Sequence, residues 1–263
     1  MICYALLLAY QECDKMRRSV KLTALILSAA AAVALSGMYK SGEYCIPADN
    51  TIEQEEAVEL LLKVPYYSQE EYPTGCELVS ASMLLGYYGF ETNAGELIGG
   101  GHIKTSVITE VDGVKYGGDP DKVFIGSPYD ENSYGCYSGA IKSCLESYLP
   151  ERGYEVADLS GKSLVELCGE YIGSGIPVLV WASIEMDGTY KKESSSWIIE
   201  DTGEQFQWIS KEHCMVLVGC DENYYWFNDP YNGNGIISYE KSLSEQRYSE
   251  LGKQALAIIL SES

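Results

Sequence analysis

The chain has 263 residues, 46% hydrophobic and 22% charged, enough apolar material for a buried core and too much for a disordered polymer. Acids outnumber bases 39 to 18, a formal charge of -21 that excludes nucleic acid as the main partner, since phosphate binding needs clustered lysine and arginine. With only 2 histidines, a multi-histidine metal centre is excluded as well.

Arg17, Arg18 and Lys21 precede an uncharged run from Leu22 to Leu35. A basic region followed by a short apolar one is the pattern of a secretory signal, and Met16 offers a cleaner start than Met1. Small residues allow cleavage after Ala34 or after Ser36. The uncharged stretch extends to Tyr39, 18 residues, so an uncleaved membrane anchor is the rival reading. Residues 1–36 are therefore expected to be a signal peptide or membrane anchor, 37–59 an acidic linker and 60–263 the folded domain. A secreted or cell-surface location follows.

From Leu60, LLLKVPYY reads as a strand. A helix is predicted from Gly75 to about Tyr88, and loops at Gly99–Gly101 and at the Gly/Asp-rich run Asp112–Asp121. Helices follow from Ser138 and over Ser163–Ser174, the latter stopped by Gly175 and Pro177. IPVLVWAS, Ile176–Ser183, is a buried strand, and Thr202–Ile209 alternates weakly. HCMVLVGCD and YYWFND form a hairpin about Asp221-Glu222-Asn223. A short helix at Ser242–Leu251 precedes a closing strand, Gln254–Leu260. Helices early and strands late give an α+β fold.

The nine cysteines contain no CxxC pair, which argues against zinc. Two precede the signal, and the odd number left leaves at least one thiol free; most read as small buried hydrophobes. Cys76 stands apart. Thr74 and Glu77 have capping-box spacing ahead of an apolar run, which puts Cys76 in the first turn of a buried helix. The unpaired N–H groups there are expected to lower the thiol pKa, with the Glu77 carboxylate turned back to the backbone. His213 opens one strand of the hairpin and Asp229 ends the next. Their midpoint falls on the turn, so they lie opposite or one diagonal apart on one face, Cβ atoms ~5 to 8 Å apart. An acid there fixes the imidazole tautomer for a base that serves a thiol: nucleophile, base and orienter. Cys214 points to the other strand face and Trp181 to the core, while His102 is expected to be exposed and without a partner. The acidic turns miss the spacing of a calcium loop.

The order Cys, His, acid, with a Gln before the Cys, resembles the papain-like cysteine peptidases. The closer resemblance is to the double-glycine (bacteriocin) leader peptidases, family thirty-nine of the cysteine peptidases, and their stand-alone extracellular relatives. It is carried by VPYYSQEEYPTGCELVSASMLLGYYG, GSPYDENSYGCYSGAI, GIPVLVWAS and EHCMVLVGCDENYYWFNDPYNG, which together run from Val64 to Gly233. The resemblance implies a papain-like fold, with the nucleophile helix packed on an antiparallel sheet. It implies Cys76 as nucleophile, His213 as general base, Asp229 as orienter and Gln69 as an oxyanion donor beside the Cys76 N–H. The expected protein is an exported monomeric peptidase acting on a peptide or protein, with no cofactor or metal. A non-catalytic surface binding module and a transglutaminase-like acyl transferase are the alternatives on the same fold.

Overall fold

The computed structural model describes residues 60–150 and 153–261. The signal segment, the acidic linker and Cys45 lie outside them. In chain order the strands are β1 (Leu60–Leu61), β2 (Thr105–Ser106), β3 (Thr109–Val111), β4 (Val114–Gly117), β5 (Phe124–Ile125), β6 (Tyr154–Asp158), β7 (Val178–Ser183), β8 (Tyr190–Ile199), β9 (Gln205–Ser210), β10 (Glu212–Cys220), β11 (Tyr224–Asp229), β12 (Gly235–Glu240) and β13 (Ala255–Leu260). The helices are α1 (Cys76–Tyr87), α2 (Ala94–Gly99), α3 (Ser138–Tyr148), α4 (Leu164–Glu170) and α5 (Lys241–Glu250).

The apolar run of β7 is buried along its whole length, and β10 is buried from Glu212 to Gly219, so both faces of these strands are covered. They form the middle of a seven-stranded sheet ordered β12-β11-β10-β7-β13-β6. All its pairs are antiparallel, and β1 continues the β7 edge of β10 by pairing with Gly219 and Cys220. Helix α1 has small or apolar residues all round and is buried from Cys76 to Leu85. It packs on β10 and β7, and Ser80 Oγ donates to the Cys214 carbonyl at 2.9 Å. Its end is a Schellman motif: Phe90 N–H donates to the Leu85 carbonyl and Gly89 N–H to that of Gly86, with Gly89 at φ +85. At its start a Cβ on Gly75 would lie 2.9 Å from the Cβ atoms of both Pro128 and Tyr72, so only glycine lets the chain pass before Cys76.

A four-stranded sheet, β3-β4-β8-β9, and a parallel β2–β5 pair lie outside this core sheet. Trp197, Phe206 and Trp208 cluster there with Tyr134 and Tyr137. The fold is thus α+β. Several local expectations need correction. The first strand is only two residues long. The run 112–121 includes the turn and second strand of the β3–β4 hairpin, with Asp112 and Gly113 at positive φ in the turn. The helix at 163 stops at Glu170, and Ile172–Ser174 is a separate 3-10 turn. Its start does carry a capping box, Ser163 with Glu166.

Candidate active site

Cys76 is the first residue of α1, but the cap differs from the expected one. The N-cap is Gly75, with no side-chain hydrogen bond. Thr74 Oγ1 instead donates to the carbonyls of Asp130 and Ser127, at 3.0 and 3.2 Å. Glu77, released from capping, turns into the core. Its Oε1 accepts the Cys136 N–H at 2.6 Å and its Oε2 accepts the Cys76 thiol at 3.4 Å. The Cys136 carbonyl in turn accepts from Trp181 Nε1 at 3.2 Å, so this one residue is held from both sides.

The thiol is only 5% exposed. Burial first, then the charges of Glu77 and Glu212, push its pKa well above the ordinary value, and the nearby Cys214 N–H only partly opposes them. This reverses the lowering expected at a helix start: once the start is covered, desolvation outweighs the partial charge of the unpaired amides. The sulfur lies against β10 near residues 212 to 214, within 4.8 Å of a Glu212 oxygen. Burial again raises Glu212 well above the carboxylate range.

His213 and Asp229 meet. Val216 pairs with Asn228 across β10 and β11, which sets His213 and Asp229 one diagonal apart on one face. Asp229 Oδ1 lies 2.7 Å from His213 Nε2. Oδ1 also accepts the Tyr231 N–H at 2.9 Å, and Oδ2 the Asn234 side-chain amide at 3.0 Å. Burial acts to raise the Asp229 pKa, but these donors, the His213 imidazole first, outweigh it and hold the carboxyl below its usual range. With Nε2 occupied by Asp229, Nδ1 is left buried with no hydrogen-bond partner. The Tyr231 ring stands edge-on to the imidazole, centroids 5.9 Å apart.

Gln69 is not an exposed loop residue; it is 6% exposed. Its N–H donates to the Pro230 carbonyl at 3.0 Å, which ties its loop to the chain just beyond Asp229. The side-chain Nε2 reaches the Pro73 carbonyl only at 3.4 Å, and Oε1 has no partner. Gln69, Pro73 and Tyr231 line a cavity of about 460 Å³. Asn228 donates to the carbonyls of Val64 and Pro65, at 3.1 and 3.0 Å, and fixes the same segment to β11.

The other cysteines and His102 fall outside this group. Cys214 and Trp181 are core residues. His102 does have a partner, Ser147 Oγ at 3.1 Å, and packs edge-on to Tyr148. The six cysteines among the described residues are all free thiols. Sequence reasoning missed Glu212, Tyr231 and Asn234. The available signals were an acid opening a wholly apolar strand and an Asn-rich turn directly after Asp229. With the Cys76 thiol donating to Glu77 and the buried Nδ1 of His213 left without a partner, the chemistry offered here is proton exchange around a thiol.

Three comparisons bear on this arrangement. Residues 61–256 match the profile of the Peptidase_C39 like family. The uncharacterized protein YvpB of Bacillus subtilis (strain 168) is 28% identical over 200 residues, 75% of each chain. A crystal structure from Bacillus anthracis, described as a C39-like peptidase, superposes with a TM-score of 0.65 at 27% identity, covering 78% of this chain and 99% of the other.

Proposed function

The chain belongs to the Peptidase_C39 like family, and on that premise we propose that it is an exported cysteine peptidase whose nucleophile is Cys76. The observation that carries this reading is the buried His213–Asp229 pair on the strand against which the Cys76 helix is packed. Asp229 holds the proton on Nε2, so the lone pair of neutral imidazole sits on Nδ1, the atom without a partner. In the proposed reaction Nδ1 takes the thiol proton. The thiolate adds to a peptide carbonyl, forming a C–S bond, and Gln69 Nε2 with the Cys76 N–H bonds the oxyanion. Collapse breaks the C–N bond as the imidazolium returns its proton to the leaving amine. Water, deprotonated by His213, then hydrolyses the thioester and regenerates the thiol.

The basic-then-apolar pattern of residues 15–35 supports export. Incubating the secreted protein with a peptide library, beside Cys76→Ala, tests the activity. The parent is expected to cleave a subset of peptides and the variant none. A parent that cleaves nothing, with Cys76 inert to thiol reagents, favours a binding module. Mass spectrometry is expected to find a mature N-terminus near Gly37; an intact chain kept in the cytoplasm refutes export.

A further inference from the structure

The mechanism above leaves two buried acids unused. Glu77 is fully buried at the start of α1, and Glu212 is 8% exposed at the start of β10. One carboxyl oxygen of each and the Cys76 sulfur lie within 4.8 Å of one another. Among the described residues, no lysine or arginine forms an ion pair with either acid. Glu212 Oε1 is buried with no hydrogen-bond partner at all. The backbone is shaped around Glu77: Gly135 sits at φ +126, and a Cβ there would fall 2.2 Å from Glu77 Oε1. Two carboxyls this close, out of water and without a cation, cannot both ionise.

We propose that Glu77 and Glu212 act as one carboxyl pair holding a single shared proton, and that this pair positions the Cys76 thiol and sets the pH at which it becomes a nucleophile. The effect on turnover rests on the peptidase reading, whereas the effect on the thiol does not. Glu77 is a positioning residue: one oxygen anchors on the Cys136 amide while the other receives the thiol hydrogen. Glu212 brings the His213 strand into the same proton economy. The remaining groups that face the pair are Cys76 on α1, Cys214 on β10, and Cys136 and Tyr137 ahead of α3. Burial raises all four, so they stay neutral around pH 7 and leave the pair as the variable charge. His213 and its anionic partner Asp229 complete the surroundings. Glu77 itself is pushed up to about 7 by burial. With the shared proton present, the thiolate forms beside one negative charge. Once the proton is lost, it forms beside two and is disfavoured.

Alkylation of Cys76 by iodoacetamide from about pH 5 to about pH 10, mapped by peptide mass, reads the thiolate population directly. Glu212→Gln replaces the shared proton by an amide hydrogen and removes one acid. It is expected to shift the Cys76 profile to lower pH and, above the upper ionisation of the pair, to speed alkylation by about tenfold, the effect of one pKa unit. Glu77→Gln should shift it the same way. A folded Glu212→Gln with the parent's profile overturns the proposal. Infrared spectroscopy of the parent gives a check that needs no variant: a protonated-carboxyl C=O stretch is expected at about pH 6, below the upper ionisation of the pair. Its absence also overturns the proposal. Peptide cleavage separates the two readings. Shifted alkylation with no cleavage by parent or variant sinks the peptidase and keeps the pair; cleavage with unshifted alkylation does the reverse.

Discussion

Asp229 and Glu77 are both carboxylates buried in one site, yet their environments drive them in opposite directions. Asp229 receives hydrogen bonds from His213, the Tyr231 amide and Asn234, and stays ionised despite its burial. Glu77 has only neutral donors, the Cys136 amide, its own amide and a weak thiol, and its nearest charged neighbour is another acid. Burial penalises both, and the kind of donor, with an imidazole on one side and an acid on the other, decides which way each goes. One side of the site is thus built to hold a permanent charge. The other is built to hold a proton.

The comparison can be broken at several points. Cys76→Ala has the largest expected effect: hydrolysis falls to background in a peptide assay, while the melting temperature stays within a few degrees, because the change removes one sulfur atom. Next comes stability against pH, read from urea midpoints. Glu77 titrates at about 7 when folded, above its unfolded value. Its contribution is complete below the unfolded pKa and is lost as the pH rises through about 7, a fall of about 3 kcal/mol that Glu77→Gln should reduce, buried Glu212 keeping the remainder. Asp229 has the opposite sign. Its contribution is present above the unfolded pKa and lost as the pH falls through the depressed folded value, so Asp229→Asn should differ most from the parent at neutral pH and converge with it in acid. Parallel pH curves for parent and variants would erase the contrast between the two sides. Gln69→Ala is expected to lower turnover by ~100-fold through loss of one oxyanion donor, with little change in KM. A loss of only a few-fold would move the donor elsewhere in the loop from Ser68 to Gly75. Asp229→Asn is the mildest for activity, roughly tenfold in kcat, below the ~100-fold or more that proton-transfer groups supply, because an amide oxygen still accepts from Nε2 and the base itself is kept.

The pairing of His213 with Asp229 was legible because a hairpin reduces it to counting. A turn centre and a period of two are enough to place two residues on one face, and neither needs tertiary information. The papain-like arrangement of helix and sheet was legible for a related reason: the buried helix and the two apolar strands are long and strongly patterned. Glu77 shows where such reading fails. Locally it fits a capping box, but the Cys136 amide, 59 residues away in sequence, offers a better donor inside the core. Glu212 reads as a polar strand entry, and only the packing of α1 against β10 covers it. The polar run KKESSS in β8 gives no strand signal either. Only its ends are paired, Lys191 and Ser196 with β9, across an irregularity in register, and Lys191 to Ser194 are all exposed.

The irregularity in β10 between Leu217 and Gly219 bears on how this protein can vary in length. Residues 212 to 217 are held in register by β7 on one side, independently of the hairpin turn beyond the bulge. The bulge therefore works as an expansion joint. Insertions or deletions around Asp221–Asn223 can be absorbed there without shifting the strand. A single residue gained between Glu212 and Val216 has no such relief, because every residue on one side of it would change face, which parts the acid from the imidazole or both from the strand beyond. Natural variation at this end of the sheet is expected to change side chains between Glu212 and Val216 and chain length only past Leu217.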